Sequence, residues 1–569
     1  MANEVSRSTT SRRDWLYLGI FIVVLLAITA IPYIYAQRLA GADKHWVGIV
    51  LNIPDHFQYF SWLRESRDKF LVPNQLTAEY STPLLFNLLW WVLGRIDSVT
   101  HVGYATLYQI TRLLAGAFAA GSIFWFCGLV FTNRAKRWTA FLLAMLASGF
   151  GWVMILVKFL TKAENAPLPF TIYTSEPNSF LTVSFFPHFT IATALITLVF
   201  GMVLLAQRTQ KLKYAWYGAI ICLILTLQHS YDFFTICGVI AMYGLFLWIR
   251  DRKFPLYILK VGIIIVIVAV WPALQAFYIT TADAVWKGVL SQFDNAGAWT
   301  PAPYQLPILM GIAWLLALWS IKIRMPWKDR DDTHLFLLAW FLSHFILVYL
   351  PLNFQIHLLS GWQVVIGVLA TIGLYTRVLP LLQRWFKNTS PSRLALIATV
   401  VLILLVIPTN LYLVGQRFID IKRAATEAEV PENPSDPSAS DNRIFIGNDE
   451  YSALKYLETQ VKGDDVVFAN LGLGQFVPAL TGARAFVGHW AQTLKFKDKF
   501  AMVQTFYNEA TPDADRQAML NTYKVTYLIY SPEEAKLGAF DPSKASYLQQ
   551  VFDEGNVKVY KVTTQAASS

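Results

Sequence analysis

The chain has 569 residues, of which 55% are hydrophobic and only 15% charged, with a mean hydropathy of +0.43. A soluble domain is nearer a quarter charged, and the apolar residues here lie in blocks of roughly the 20 residues that a bilayer crossing requires, so a soluble protein is excluded. The net charge of +10 does not indicate a nucleic-acid partner, because Lys and Arg sit in short clusters between apolar blocks, which is a topology signal and not a continuous face for a nucleic-acid backbone.

Residues 1–14 carry Arg7, Arg12 and Arg13 ahead of the first apolar block, Trp15 to Tyr35. That block is too long for a typical signal-peptide core and reads as an uncleaved anchor. It is the first of about eleven candidate spans at 15–36, 104–131, 138–159, 187–206, 214–229, 232–249, 255–279, 304–322, 333–351, 357–382 and 393–415. Alternate connections hold the basic residues: Arg134, Lys136 and Arg137; Arg208, Lys211 and Lys213; Arg250, Arg252 and Lys253; Lys322, Arg324, Lys328 and Arg330; Arg384, Lys387 and Arg393. The opposite loops are nearly free of them, so the positive-inside rule places the N-terminus in the cytoplasm and the C-terminal domain outside. This requires that the apolar segment Pro83–Leu93 does not cross. At 11 residues it is too short to span and reads as an interfacial helix.

The longest outer connections are then residues 37–103 and 160–186, both counted within a transmembrane domain over 15–415. Residues 416–443, with the Pro/Ser-rich PENPSDPSAS, read as a linker. From 444 to 569 the pattern becomes globular. Asp449–Gln460 (with Asp449 as a possible cap), Lys495–Tyr507 and Asp513–Asn521 predict helices, while Asp465–Ala469, Val525–Tyr530 and Val557–Val562 predict strands. The expected fold is a polytopic α-helical membrane protein with a small C-terminal α/β extracytoplasmic domain. Gly472-Leu-Gly474 lacks the third glycine and acidic partner of a dinucleotide turn and reads as a structural turn. Cys127, Cys222 and Cys237 all fall in apolar segments, where packing is their use.

Ionisable groups near hydrocarbon cost a few kcal/mol each, so those gathered at one face point to paired, water-lining or functional positions. The outer face collects Asp43, Asp55, His56, Glu65, Glu176, His188, His229 and Asp232, with His357 at the start of a later span. Asp55 either caps a helix beginning at His56 or does chemistry. His188 opens a span as Pro-His-Phe, and His229-Ser-Tyr-Asp232 either bond each other across a tight turn or bind a substrate. Arg112, within the second span, either snorkels outward or pairs with a carboxylate.

From the first outer loop onward the sequence resembles the membrane glycosyltransferases of the GT-C superfold, of the protein O-mannosyltransferase and aminoarabinose-transferase type. The resemblance rests on Pro54-Asp55-His56-Phe57-Gln58-Tyr59, then Asp68-Lys69-Phe70-Leu71-Val72-Pro73, then Ser81-Thr82-Pro83-Leu84-Leu85. His56 stands where that family has Glu, and Thr82 where it has the first residue of a Pro-Pro pair. Glu176, Pro187-His188-Phe189, His229 to Asp232 and Thr481-Gly-Ala-Arg484 are similar to an uncharacterised group of bacterial membrane proteins.

The resemblance implies sugar transfer at the outer membrane face from a polyprenyl-phosphate donor to an acceptor hydroxyl, in one inverting displacement with Asp55 as the base. Candidates for binding the substrate are His56, Arg64, Lys44, Glu176, His188, His229 and Asp232, with Arg64, Lys44, His188 or His229 available to stabilise the departing phosphate. A divalent metal is open: Asp55, His188, His229, Asp232 and Glu176 are suitable ligands, but their spacing is too dispersed to define a site. Partners would be the lipid-linked donor, membrane lipids and an acceptor, with no nucleic acid. Two other readings stand beside this one: a polytopic transporter, and an inactive GT-C-like anchor that presents the ectodomain to an envelope partner.

Overall fold

A computed structural model of the chain describes residues 11–163, 174–292, 299–321, 331–352, 354–427, 433–437 and 442–563. They form two units: Met1–Ala30 with Ile110–Leu274 and Asn295–Gln416, and Ile31–Gln109 with Gln275–Asp294 and Arg417–Ser569. Residues 37–103, expected as an outer loop within the transmembrane domain, therefore fold with the C-terminal residues.

In the first unit, the apolar segments become helices because a helix satisfies every backbone group within itself, as hydrocarbon requires. Among the described residues, seven helices are long and apolar enough to cross a membrane: Arg12–Leu39, Tyr104–Val130, Pro187–Thr209, Asp232–Asp251, Pro303–Ser320, Gln355–Trp385 and Pro391–Thr426. Two bent pairs, Arg134–Leu146 with Gly151–Leu160 (56°) and Leu256–Ala269 with Trp271–Ala282 (48°), raise this to nine. The two remaining predicted spans are the 16-residue helices Lys213–Gln228 and Asp332–Leu347. At 1.5 Å per residue each covers about 24 Å, short of a hydrocarbon core of about 30 Å.

The break after Leu146 has a physical cause. A Cβ at Gly149 would lie 2.0 Å from the Ile308 carbonyl oxygen, so only glycine fits. The backbone N–H groups freed there donate to neighbouring carbonyls, Ser148 to Val406 (2.8 Å) and Phe150 to Ile308 (2.7 Å). Gly311, at φ 67°, completes the close approach from the other helix. Arg112 does not snorkel outward: it is buried and donates to Thr29 Oγ1 (3.0 Å).

In the second unit, β1 (Lys44–Trp46) pairs antiparallel with β2 (Phe445–Gly447), which ties the segment after the first helix to the start of the C-terminal domain. That domain holds a five-stranded sheet of β3 (Val466–Phe468), β4 (Arg484–Ala485), β5 (Val525–Tyr530), β6 (Leu548–Glu554) and β7 (Val557–Val562), in the order β4-β3-β5-β7-β6. β3 runs parallel to β4 and β5, while β7 is antiparallel to β5 and β6. The short apolar run of β3 is buried throughout, as expected of a parallel strand covered on both faces. Phe468, Phe486, Phe506, Leu528 and Tyr560 form the core.

Several local expectations are corrected. Residues 83–87 are not helical: Leu85 pairs with Val72, and the helix is Leu88–Thr100, capped by Asn87. The helix Pro408–Thr426 continues through the start of the expected linker 416–443, of which 428–432 and 438–441 lie outside the described residues. So do residues 1–10, residues 164–173 of the second outer loop, and the basic stretch Lys322 to Arg330. Asp449 does not cap its helix. Its carboxylate accepts from the Asn556 N–H (3.0 Å), while Glu450 turns back to the Gly447 N–H (2.8 Å). Gly472-Leu-Gly474 belongs to the one-turn helix Leu471–Gly474.

Candidate functional site

The helix Ile53–Glu65 follows Asn52, which is left-handed at φ 53° and makes no side-chain cap. Asp55 therefore lies inside the first turn and is not its N-cap. The positive end of the helix dipole favours a carboxylate there. Its Oδ2 accepts from Asn52 Nδ2 (2.7 Å), and its Oδ1 faces His489 Nε2 at 3.0 Å.

The proton on that imidazole can be placed. The Ala491 N–H donates to His489 Nδ1 (2.9 Å), so Nδ1 carries no proton and Nε2–H donates to Asp55. The loop carrying His489 is held by Thr493, whose Oγ1 accepts from the N–H groups of Gly488 and His489 (3.0 Å each) and donates to the Leu76 carbonyl (2.7 Å). His489 is 1% exposed, while the Asp55 side chain keeps 34% of its surface open. Burial alone would raise the Asp55 pKa, but the bonds from His489 and Asn52 outweigh it and bring the carboxyl down to about 2. The result is a carboxylate that is ionised at neutral pH, oriented from two sides and accessible. His489 escaped the sequence reading. Its only local signal is its place in Gly488-His489-Trp490, a few residues after the Thr481-Gly-Ala-Arg484 stretch.

The other first-loop candidates have structural partners. His56 is buried, with Nδ1–H donating to the Asn52 carbonyl (2.7 Å) and Nε2 facing the Tyr108 hydroxyl (3.3 Å). Lys44 Nζ donates to the carbonyls of Ala424, Ala425 and Glu427 (3.4, 3.2 and 2.9 Å), closing the C-terminus of a helix. Arg64 pairs with Glu458 (2.8 Å) and donates to the carbonyls of Ala479, Leu480 and Thr481 (3.4, 3.2 and 3.2 Å). Arg64→Ala is accordingly expected to destabilise the second unit by about 1–3 kcal/mol, read by thermal denaturation, with any substrate affinity unchanged. A raised KM at unchanged stability would return Arg64 to substrate binding.

The first unit gathers the remaining candidates into one cluster. Glu176 Oε1 lies 3.0 Å from His357 Nδ1 and its Oε2 accepts from Ser175 Oγ (3.1 Å). His229 Nδ1 lies 2.8 Å from Asp232 Oδ2. Tyr231 stacks on His357 (centroids 5.1 Å), and the Phe189 ring lies 4.2 Å from His188, 5.3 Å from His229 and 5.7 Å from His357. Glu176, His188, His229 and Asp232 are all buried. The His229–Asp232 bond across the turn is present, and it sits beside a second imidazole–carboxylate pair. Among the described residues no three His, Cys, Asp or Glu side chains are placed to hold a metal ion.

A family model described as "Family of unknown function (DUF6541)" matches residues 166–564, a stretch that includes His489 but not Asp55. No curated protein matches the chain. Among solved structures it is similar to the oligosaccharyltransferase of Archaeoglobus fulgidus in the apo form, with a TM-score of 0.54 and 14% identity over 95% of this chain and 73% of that one. The same archaeal enzyme, AglB, in complex with an inhibitory peptide and a dolichol-phosphate, gives 0.54 at 12% identity, with 95% and 73% covered. ArnT from Cupriavidus metallidurans bound to undecaprenyl phosphate gives 0.48 at 12% identity, with 97% and 98% covered. At these identities the likeness to the archaeal enzyme is one of fold, and it establishes the GT-C-like architecture: a multi-pass helical membrane protein with a small β-containing C-terminal region.

Proposed function

We propose that this chain, which belongs to the DUF6541 family of unknown function, is a membrane glycosyltransferase that moves a sugar from a polyprenyl-phosphate donor to an acceptor hydroxyl at the outer membrane face. The observation that carries the reading is Asp55: ionised, partly open, and held between Asn52 and His489. The fold shared with an oligosaccharyltransferase that has been captured with a dolichol-phosphate supports a lipid carrier as donor.

In the proposed reaction the acceptor oxygen attacks the anomeric carbon while the bond from that carbon to the phosphate oxygen breaks. Polyprenyl phosphate leaves with the bonding pair, the acceptor proton passes to Asp55, and one displacement inverts the anomeric centre. A carboxylate with so low a pKa is a weak base, so the proton moves late, after carbon–oxygen bond formation has made the hydroxyl acidic. His489 is a positioning residue that keeps Asp55 ionised and oriented. Lys44 and Arg64 already serve backbone carbonyls, which argues against either of them as the group that stabilises the departing phosphate.

The test is transfer from a panel of labelled polyprenyl-phosphate sugars in sealed vesicles of both orientations. Transfer confined to right-side-out vesicles is expected. Absence of transfer from every donor by protein shown to be folded overturns the proposal, and ion-driven uptake by the same vesicles would establish the transporter reading.

A further inference from the structure

A groove of about 760 Å³ runs along the first unit between the helix Arg134–Leu146, the stretch Leu374–Trp385 and the helix Pro391–Val406. Its chemistry changes along its length. At one end it is lined by Asn133, Tyr375, Gln383 and Ser392; at the other by Val400 and Leu404. From Ser392 to Leu404 the helix rises about 18 Å, close to half of a hydrocarbon core of about 30 Å. The groove thus has the depth of one leaflet, polar at the rim and apolar at the midplane. A π-helical turn at Leu374–Val378 forms part of its wall, a distortion that is uncommon and often local to binding sites.

The rim is basic. Lys136 Nζ sits 5.3 Å from the centroid of the lining Tyr375 ring. Arg384 and Arg393 adjoin the lining residues Gln383 and Ser392, Lys387 lies in the turn between them, and all three are exposed. Among the described residues no carboxylate lines the groove. A solvating lipid of any kind would need only the apolar half, whereas the four cations at one end complement an anionic headgroup.

We propose that this groove is a binding site for an anionic glycerophospholipid, with an acyl chain along Leu396, Val400 and Leu404 and the phosphate at Lys136, Arg384, Lys387 and Arg393. This is the end that the positive-inside rule assigns to the cytoplasm, where anionic lipid concentrates and each nearby cation strengthens its binding. The inference is independent of sugar transfer and of Asp55.

The test uses the full chain in nanodiscs of equal parts phosphatidylcholine and phosphatidylglycerol, with co-released lipid counted by native mass spectrometry. The wild type is expected to retain phosphatidylglycerol over phosphatidylcholine by on the order of tenfold. The combined change Lys136→Gln, Arg384→Gln and Arg393→Gln is expected to retain the two lipids equally. Val400→Trp, at a position 49% exposed and lining the apolar half, is expected to retain neither. Equal retention by the wild type, as for an unselective annulus, overturns the proposal. So does a preference undiminished in Val400→Trp, which decides the matter even if the charge variant fails to fold.

Discussion

Asp55→Asn is expected to lower sugar transfer by about 10²–10⁴-fold, the usual contribution of a positioned acid or base. The change is nearly isosteric and leaves the site assembled. The introduced amide still offers a carbonyl oxygen to His489 Nε2–H, and the Asn52 amide can turn to present its own oxygen. What is lost is the charge and the proton acceptor.

The accompanying effect on stability has a defined sign. The folded carboxyl is held below its ordinary value of 3.8, at about 2, so its contribution is present above pH ~4 and is lost as pH falls through 2. The shift corresponds to about 2 kcal/mol, reduced to about 1 kcal/mol because a third of the side chain faces solvent. The variant should therefore be slightly less stable than wild type at neutral pH and equal to it near pH 2, as followed by urea denaturation. Transfer unchanged in folded Asp55→Asn would remove the residue from the chemistry.

The second large effect is expected at His489. In His489→Ala the carboxyl loses its strongest stabilising bond while remaining crowded, so burial, which acts upward, is opposed less. The acidic limb of the pH–rate profile should move upward from about 2, with kcat at neutral pH falling by about 10–100-fold through lost orientation. His489→Gln, which can still donate to Asp55, should restore part of kcat and move the limb back down. A purely structural histidine would lower the yield of folded protein and leave the limb where it was. These variants separate positioning from folding.

The parts of the molecule that were legible in advance are those governed by local chemistry. The eleven apolar segments became helices, whole or bent, because the need to satisfy backbone groups in hydrocarbon acts on each segment alone. Strands β5 and β7 match their predicted bounds, Val525–Tyr530 and Val557–Val562, because β-branched and aromatic runs between turns carry their own signal. Where the expectation failed, a neighbour had intervened. Leu85 was drawn out of a helix by pairing with Val72, and Asp449 left its capping position for the Asn556 N–H.

The candidate site divides along the same line. The sequence by itself determined a membrane protein with a terminal α/β domain, and its resemblance to a known superfold singled out one acidic residue, Asp55, after the first apolar segment. It also marked Glu176, His188, His229 and Asp232 among a wider set of ionisable residues assigned to one face, since charge beside hydrocarbon is costly wherever it occurs. Only the tertiary structure decided that Lys44 and Arg64 close helix ends, that His56 is sealed against Tyr108, and that His357 joins Glu176. It alone brought His489 to Asp55 across 434 residues of chain. The physical reason is that a side chain's proton, charge and orientation depend on the groups within about 3 Å of it, and for Asp55 one of those groups comes from the other end of the chain.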